Sequence, residues 1–295
     1  MTRLLLALHR VRLPLYLLSI LALVGGTLVE PWIPAGLAED GRSLLVRLGL
    51  AGLLLTVLVI ALGGRLIPRP APLTVTAPVI GRWSAVNSPA TKVPSHGLHA
   101  YGQTWAIDLV HEPDDKERPE LGSGPAMRPP EDFPAFGQPV LAMVDGEVVA
   151  AADGLRDHRS RSSLAAVLYM TAEGMLREIG GPRFIVGNHV IIRTPDGVHA
   201  LVAHLRRGSA QVAVGDTVRA GDQIGACGNS GNTSEPHVHA HLMDRRSLLL
   251  ARGLPMAFAD IDIERDGSRE TVDGLPADEE RMVATSPSAS TAGTA

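Results

Sequence analysis

The segment Pro236-His237-Val238-His239-Ala240-His241 places three histidines at alternate positions, directly after the turn-rich run GNSGNTSE that starts at Gly228. In an extended strand, residues two apart leave the same face, so the three imidazoles stand together on one side of a sheet. The Gly/Asn/Ser/Thr run and Pro236 make that strand begin abruptly and at a fixed place. Neutral imidazoles clustered on a rigid strand are what a metal site requires. A solvent-facing strand that happens to carry histidines would look the same over so short a stretch. The rest of the chain must decide.

From Leu73 onward the chain reads as short β-like runs: LTVTAPVI, TWAIDLV, PVLAMV, GEVVAA, FIVGNHVIIRT and HALVAHL. Gly, Pro and Asn clusters separate them, the pattern of a mainly β, antiparallel sheet or sandwich domain. Aromatics at 3% beside abundant Leu, Val, Ala and Gly suit such a core. The 295 residues allow one or two domains. A net charge of -4 gives no reason to expect nucleic acid as a partner. Cys227 is the only cysteine, so no intrachain disulfide and no Cys-based zinc finger can form, and it reads as a small buried residue.

Residues 1–66 differ from everything after them. Leu13 to Val29 and Leu48 to Gly64 are apolar runs without charge, each at the short end of what spans a bilayer. They predict a membrane-anchoring region with two apolar helices. A cleaved signal peptide is the rival for the first run, but it lacks a clear small-x-small site and a second apolar run follows. Arg3, Arg10 and Arg12 argue for an inside N-terminus, and Arg65 and Arg69 argue that the following domain is inside too; a single span would put it outside. Residues 67–72 (IPRPAP) form a stiff linker, and 73–265 the β domain. Within it, 155–181 is an insertion with helical spacing over Ser162 to Ile179, suited to a lid or to a surface helix. Residues 266–295 are expected as a tail, disordered at its Ser/Thr/Ala-rich end.

Four pieces carry chemistry: SHGLHAYGQTWAIDLV with His96, His99 and Asp108; PVLAMVDGEVVAA; ALVAHLRRGSAQVAVGDTVRAGDQIGACGNSG with His204; and EPHVHAHLMD with His237 and His239. In this order, with His…Asp, His-Leu-x-x-Gly-Ser, Gly-Asn-Ser-Gly and Pro-His-x-His, they resemble the lysostaphin-type zinc endopeptidases, peptidoglycan-cleaving metallopeptidases with a LytM-like domain. The resemblance covers about Val75 to Asp244. It implies Zn²⁺ held by Asp108, His239 and a histidine upstream of Asp108. The usual pattern puts that histidine four positions before the Asp, where this chain has Thr104. His96 is preferred, because its Pro-Ser-His-Gly turn looks like that of longer-looped relatives, and His99 is the alternate. His204 and His237 match the two catalytic, non-ligand histidines; which takes a proton from water and which gives one to the leaving amine stays open. His241 has no role in the resemblance, and neither have His111, His189 and His199.

Two imidazoles and a carboxylate leave a fourth position on zinc for water, which the metal makes acidic enough to attack a peptide carbonyl near neutral pH. Asp108, on an apolar strand, would be a costly buried charge without such a partner. The expected function is therefore membrane-anchored zinc endopeptidase acting on peptidoglycan cross-links or stem peptides. The catalytic domain would then lie on the extracytoplasmic side of the cell membrane, against the arginine bias. The alternative is a catalytically silent domain of the same fold that binds or regulates cell-wall hydrolases. A biotinyl- or lipoyl-carrier reading of VAVGDTVRAGDQIGA fails for want of a lysine in a hairpin turn, Lys92 and Lys116 being the chain's lysines.

Overall fold

The computed structural model describes residues 2–28, 35–66, 69–97, 99–265 and 268–285. The chain divides into a helical unit built on Met1–Arg69 and a β-rich unit that starts at Pro70. In the helical unit, α1 is Thr2–Arg10, α2 is Arg12–Leu28 and α3 is Ala35–Leu66. Asp40–Gly63 within α3 is 24 residues long and apolar enough to cross a membrane, whereas α2, at 17 residues, is shorter. The faces of α2 and α3 meet at small residues. A Cβ on Gly49 would meet Leu23 and one on Gly52 would meet the Ser19 hydroxyl, so the glycines set how closely the two backbones approach.

The β-rich unit begins with β1 (Leu73–Val75), β2 (Gly81–Val86), β3 (Ile107–His111), β4 (Met127–Arg128), β5 (Pro139–Leu141), β6 (Gly146–Ala152) and β7 (Ser160–Arg161). Two helices follow, α4 (Leu164–Ile179) and α5 (Pro182–Val186). Ser163 caps α4, its hydroxyl accepting from the Ala166 amide, which starts the helix where the insertion turns apolar. Then come β8 (His189–Arg193), β9 (His199–Ala203), β10 (Thr217–Val218), β11 (Gln223–Ala226) and β12 (Val238–Met243). The last four are β13 (Gly253–Leu254), β14 (Met256–Arg265), β15 (Ser268–Gly274) and β16 (Arg281–Ala284).

The protein is mainly β, as expected. One sheet runs β1-β14-β16-β2-β3-β12-β9-β8-β6-β10, with β12 near its middle between β3 and β9. Its neighbours pair antiparallel except β1 with β14, which are parallel. Alternation on β12 sorts its side chains. Val238, Ala240 and Leu242 are fully buried in the hydrophobic core with Trp83, Ile107, Leu109, Val202 and Phe258, and the histidines take the other face.

The β domain does not stop at residue 265. Residues 268–284, expected as part of the tail, hold β15 and β16, and β16 bridges β14 and β2 inside the main sheet. The polar run SRETVDG hides β15, which is mostly exposed and needs only one polar-tolerant edge. The Ser/Thr/Ala-rich end lies outside the described residues.

Candidate metal centre

Antiparallel register brings the first two donors together. His239 on β12 pairs directly with Asp108 on β3, so their side chains leave the same face of adjacent strands. His239 Nδ1 lies 2.8 Å from Asp108 Oδ1. His237, just before β12, brings its Nε2 to 3.5 Å from the same oxygen. The other carboxylate oxygen, Oδ2, faces His96 Nε2 at 3.0 Å and accepts from the Asn87 side-chain amide at 3.0 Å. Asp108 is thus a buried carboxylate encircled by three imidazoles and one amide.

Of the two histidines upstream of Asp108, His96 is brought to its carboxylate. His99 instead faces the Thr104 hydroxyl, its Nδ1 at 3.2 Å. The loop between β2 and β3 gives His96 its reach: Ser95 Oγ sits 3.0 Å from His96 Nδ1 and leaves Nε2 aimed at the centre. His96, Asp108 and His239 offer one donor atom each within 4.8 Å of one another, and so do His204, His237 and His239.

His204 and His237 have their outer nitrogens engaged. His204 Nδ1 donates to the Ser230 carbonyl at 2.8 Å, and His237 Nδ1 donates to the Glu235 carbonyl at 2.8 Å. When neutral, each ring therefore carries its lone pair on Nε2, on the side of the centre. Their ring centroids are 4.8 Å apart, and His204 stands 5.6 Å from His239. His204 has φ 60, a left-handed conformation unusual for a residue with a Cβ. Its amide on the Val186 carbonyl, at 3.1 Å, holds the backbone there.

Charge and burial set the protonation states. Burial disfavours ionised Asp108, yet the neighbouring His96 and His237 and the hydrogen bonds from His239 and His96 hold it well below the ordinary carboxylate range. For His96, burial is outweighed by the charge and hydrogen bond of Asp108, so its imidazole is pushed up. His204 and His239 are pushed down, chiefly by burial, and stay neutral. Two imidazole nitrogens and a carboxylate oxygen converging at a largely buried point form a donor set that suits zinc.

One contributor escaped the sequence reading, and His241, to which the resemblance gives no role, finds its partner. Asn87, at φ 53, ends β2 in a conformation asparagine tolerates, and the Val-Asn-Ser-Pro turn is the signal that marks it. His241 has no exposed surface, and its Nδ1 lies 3.1 Å from His239 Nε2. It is a buried partner of His239.

A mainly β domain with a buried histidine–aspartate centre is the class defined so far. Residues 131–249 match the family described as Peptidase family M23. That match spans less than half of the chain and agrees with the lysostaphin-type motifs. The match includes His204, His237 and His239, while Asp108 and His96 lie outside it. No curated protein matches the chain. Similar solved structures include the catalytic domain of lysostaphin from Staphylococcus simulans, at 21% identity over 53% of this chain and 80% of that one, TM-score 0.30. The M23 metalloprotease pseudoalterin from the deep sea aligns at 15% identity over 70% and 100%, TM-score 0.36. The SpoIIQ–SpoIIIAH pore-forming complex aligns at 19% over 62% and 89%, TM-score 0.33.

Proposed function

We propose that the protein is a membrane-anchored zinc metalloendopeptidase that hydrolyses peptide bonds in peptidoglycan cross-links or stem peptides, its catalytic domain outside the cell membrane. The observation that carries this reading is the convergence of His96, Asp108 and His239 donor atoms within 4.8 Å on a domain whose core matches Peptidase family M23. Those three residues would hold zinc, preferred over the three-histidine set because a cation there also neutralises the buried Asp108 carboxylate. When bound, zinc polarises water and the scissile carbonyl.

The chain's own residues supply the rest. When neutral, His204 and His237 present Nε2 lone pairs to the centre, so either can take a proton from the attacking water and return it to the leaving amine. The carbonyls of Ser230 and Glu235 hold both rings in that tautomer. A cleft of about 880 Å³ lined by Arg118, Phe133, Arg161 and Glu235 lies beside the turn that carries His237. Its mixed charges suit a short peptide bearing both amine and carboxylate groups.

The test is release of soluble muropeptides from purified peptidoglycan by the detergent-purified full chain, with metal analysis on the same sample. Stoichiometric zinc with release abolished by a chelator is the expected result. Zinc without release would favour a silent domain that binds or regulates wall hydrolases. Neither zinc nor release would refute the reading.

A further inference from the structure

Helix α4 is amphipathic in the reverse of the usual sense. Its charged residues, Glu173, Arg177 and Glu178, lie on the half-buried side. There Glu173 pairs with Arg161 and, at 3.8 Å, with Arg177, while Glu178 accepts from the Tyr101 hydroxyl at 2.8 Å. The outward side carries no charge. It presents Leu164, Leu168, Tyr169, Met175, Leu176 and Ile179, with Leu164 and Leu176 each 71% exposed and Ile179 84% exposed. A surface helix in water places its charges outward. A continuous apolar face along a helix about 24 Å long marks a surface that something covers.

We infer that this face of α4 lies in the interfacial layer of the bilayer that the chain itself enters, an inference that rests on the membrane anchoring proposed above. Charge favours lipid as the occupant. Arg156 and Arg159 before the helix and Arg183 after it are exposed. Among the described residues none of them pairs with a carboxylate. The nearby Asp157 carboxylate is occupied by the amides of Arg207 and Asn229. An uncharged apolar face bordered by cations suits anionic headgroups over acyl chains, whereas two copies face to face would oppose like charges. Because Tyr101 belongs to the loop that carries His96, lipid contact at α4 also braces one wall of the candidate centre.

The experiment places a single environment-sensitive maleimide fluorophore on the full chain at Leu176→Cys, Leu54→Cys in α3, or Leu121→Cys on an exposed loop of the β domain. The native Cys227 is buried and its thiol is pushed far up, so it does not react. Each protein is reconstituted in phosphatidylethanolamine–phosphatidylglycerol vesicles containing lipid with spin-labelled acyl chains. The expected result is strong quenching at 54 and 176 and none at 121, with quenching at 176 lost in Leu168→Glu/Ile179→Glu. Quenching at 54 but not 176 would overturn the inference. A blue-shifted but unquenched label at 176 would overturn it too, in favour of a protein partner or second copy. An unquenched label at 54 would refute the anchoring itself, and the inference with it.

Discussion

His239 Nε2 lies 3.1 Å from Nδ1 of His241, while the opposite nitrogen of His239 faces Asp108 at 2.8 Å. An imidazole that gives Nδ1 to a cation carries its proton on Nε2, so His241 must then accept that proton's hydrogen bond. His241 Nε2 is buried without a partner among the described residues, so the contact with His239 is the polar role visible for this side chain. His241→Phe is therefore expected to weaken zinc affinity about 10–100-fold with the fold intact, and His241→Gln, which keeps an acceptor, to weaken it less. Competition with a chelating indicator measures both.

Donors and proton carriers should separate under mutation. Asp108→Asn and His239→Ala are expected to lose zinc. His204→Ala should retain it while turnover falls roughly 10²–10⁴-fold, the usual worth of a positioned acid–base group. Equal metal content in wild type and His239→Ala would remove this centre from consideration.

Acid should destabilise the metal-free protein. His111, His158, His189, His199, His204, His239 and His241 are all pushed below the ordinary value of 6.5, burial being the largest cause in each. The unfolded chain takes up protons near that value while the folded chain stays neutral. Stability is thus full above about pH 6.5 and falls as pH drops through it. His96 works in the opposite sense, its contribution present in acid and lost as pH rises through its raised folded pKa, but it is one group against seven. The depressed Asp108 adds a lower step, stability that is present above about pH 4 and lost on further acidification. Thermal unfolding of the chelator-treated chain between about pH 8 and about pH 5 should show a falling Tm.

Gly231→Ala should cost at least about 2 kcal/mol and depress activity beyond that loss. Gly231 has φ +82, and a Cβ there would stand 2.5 Å from the Gly187 amide nitrogen and 2.6 Å from the Ile185 carbonyl. Relief of that clash would move the neighbouring Ser230 carbonyl, which holds His204. Denaturant melts paired with turnover would separate the two effects.

What the sequence made legible follows a simple physical line. The alternation at 237–241 yields a strand and a shared face because period two is local, and the helical spacing over Ser162 to Ile179 marks α4 because it too is local. The pairing of His239 with Asp108 is a register between residues 131 positions apart, and only the motif resemblance pointed to it. The burial of His241 depends on which segments cover the histidine face, a long-range fact that its own neighbours do not carry. β15 was obscured because its polar residues sit on an exposed strand, where burial imposes no alternation.

The strands beneath the centre and the loop beside it differ in how firmly they are held. β12, with His239, is hydrogen-bonded along both edges, to β3 and to β9, while His96 hangs from the segment between β2 and β3. Opening the middle of a sheet costs nearly as much as unfolding the domain, whereas a loop opens far more readily. An ion held between them would come and go at the pace of that loop. A chelator should therefore strip the metal, and added zinc should restore it, over repeated cycles without denaturing the protein.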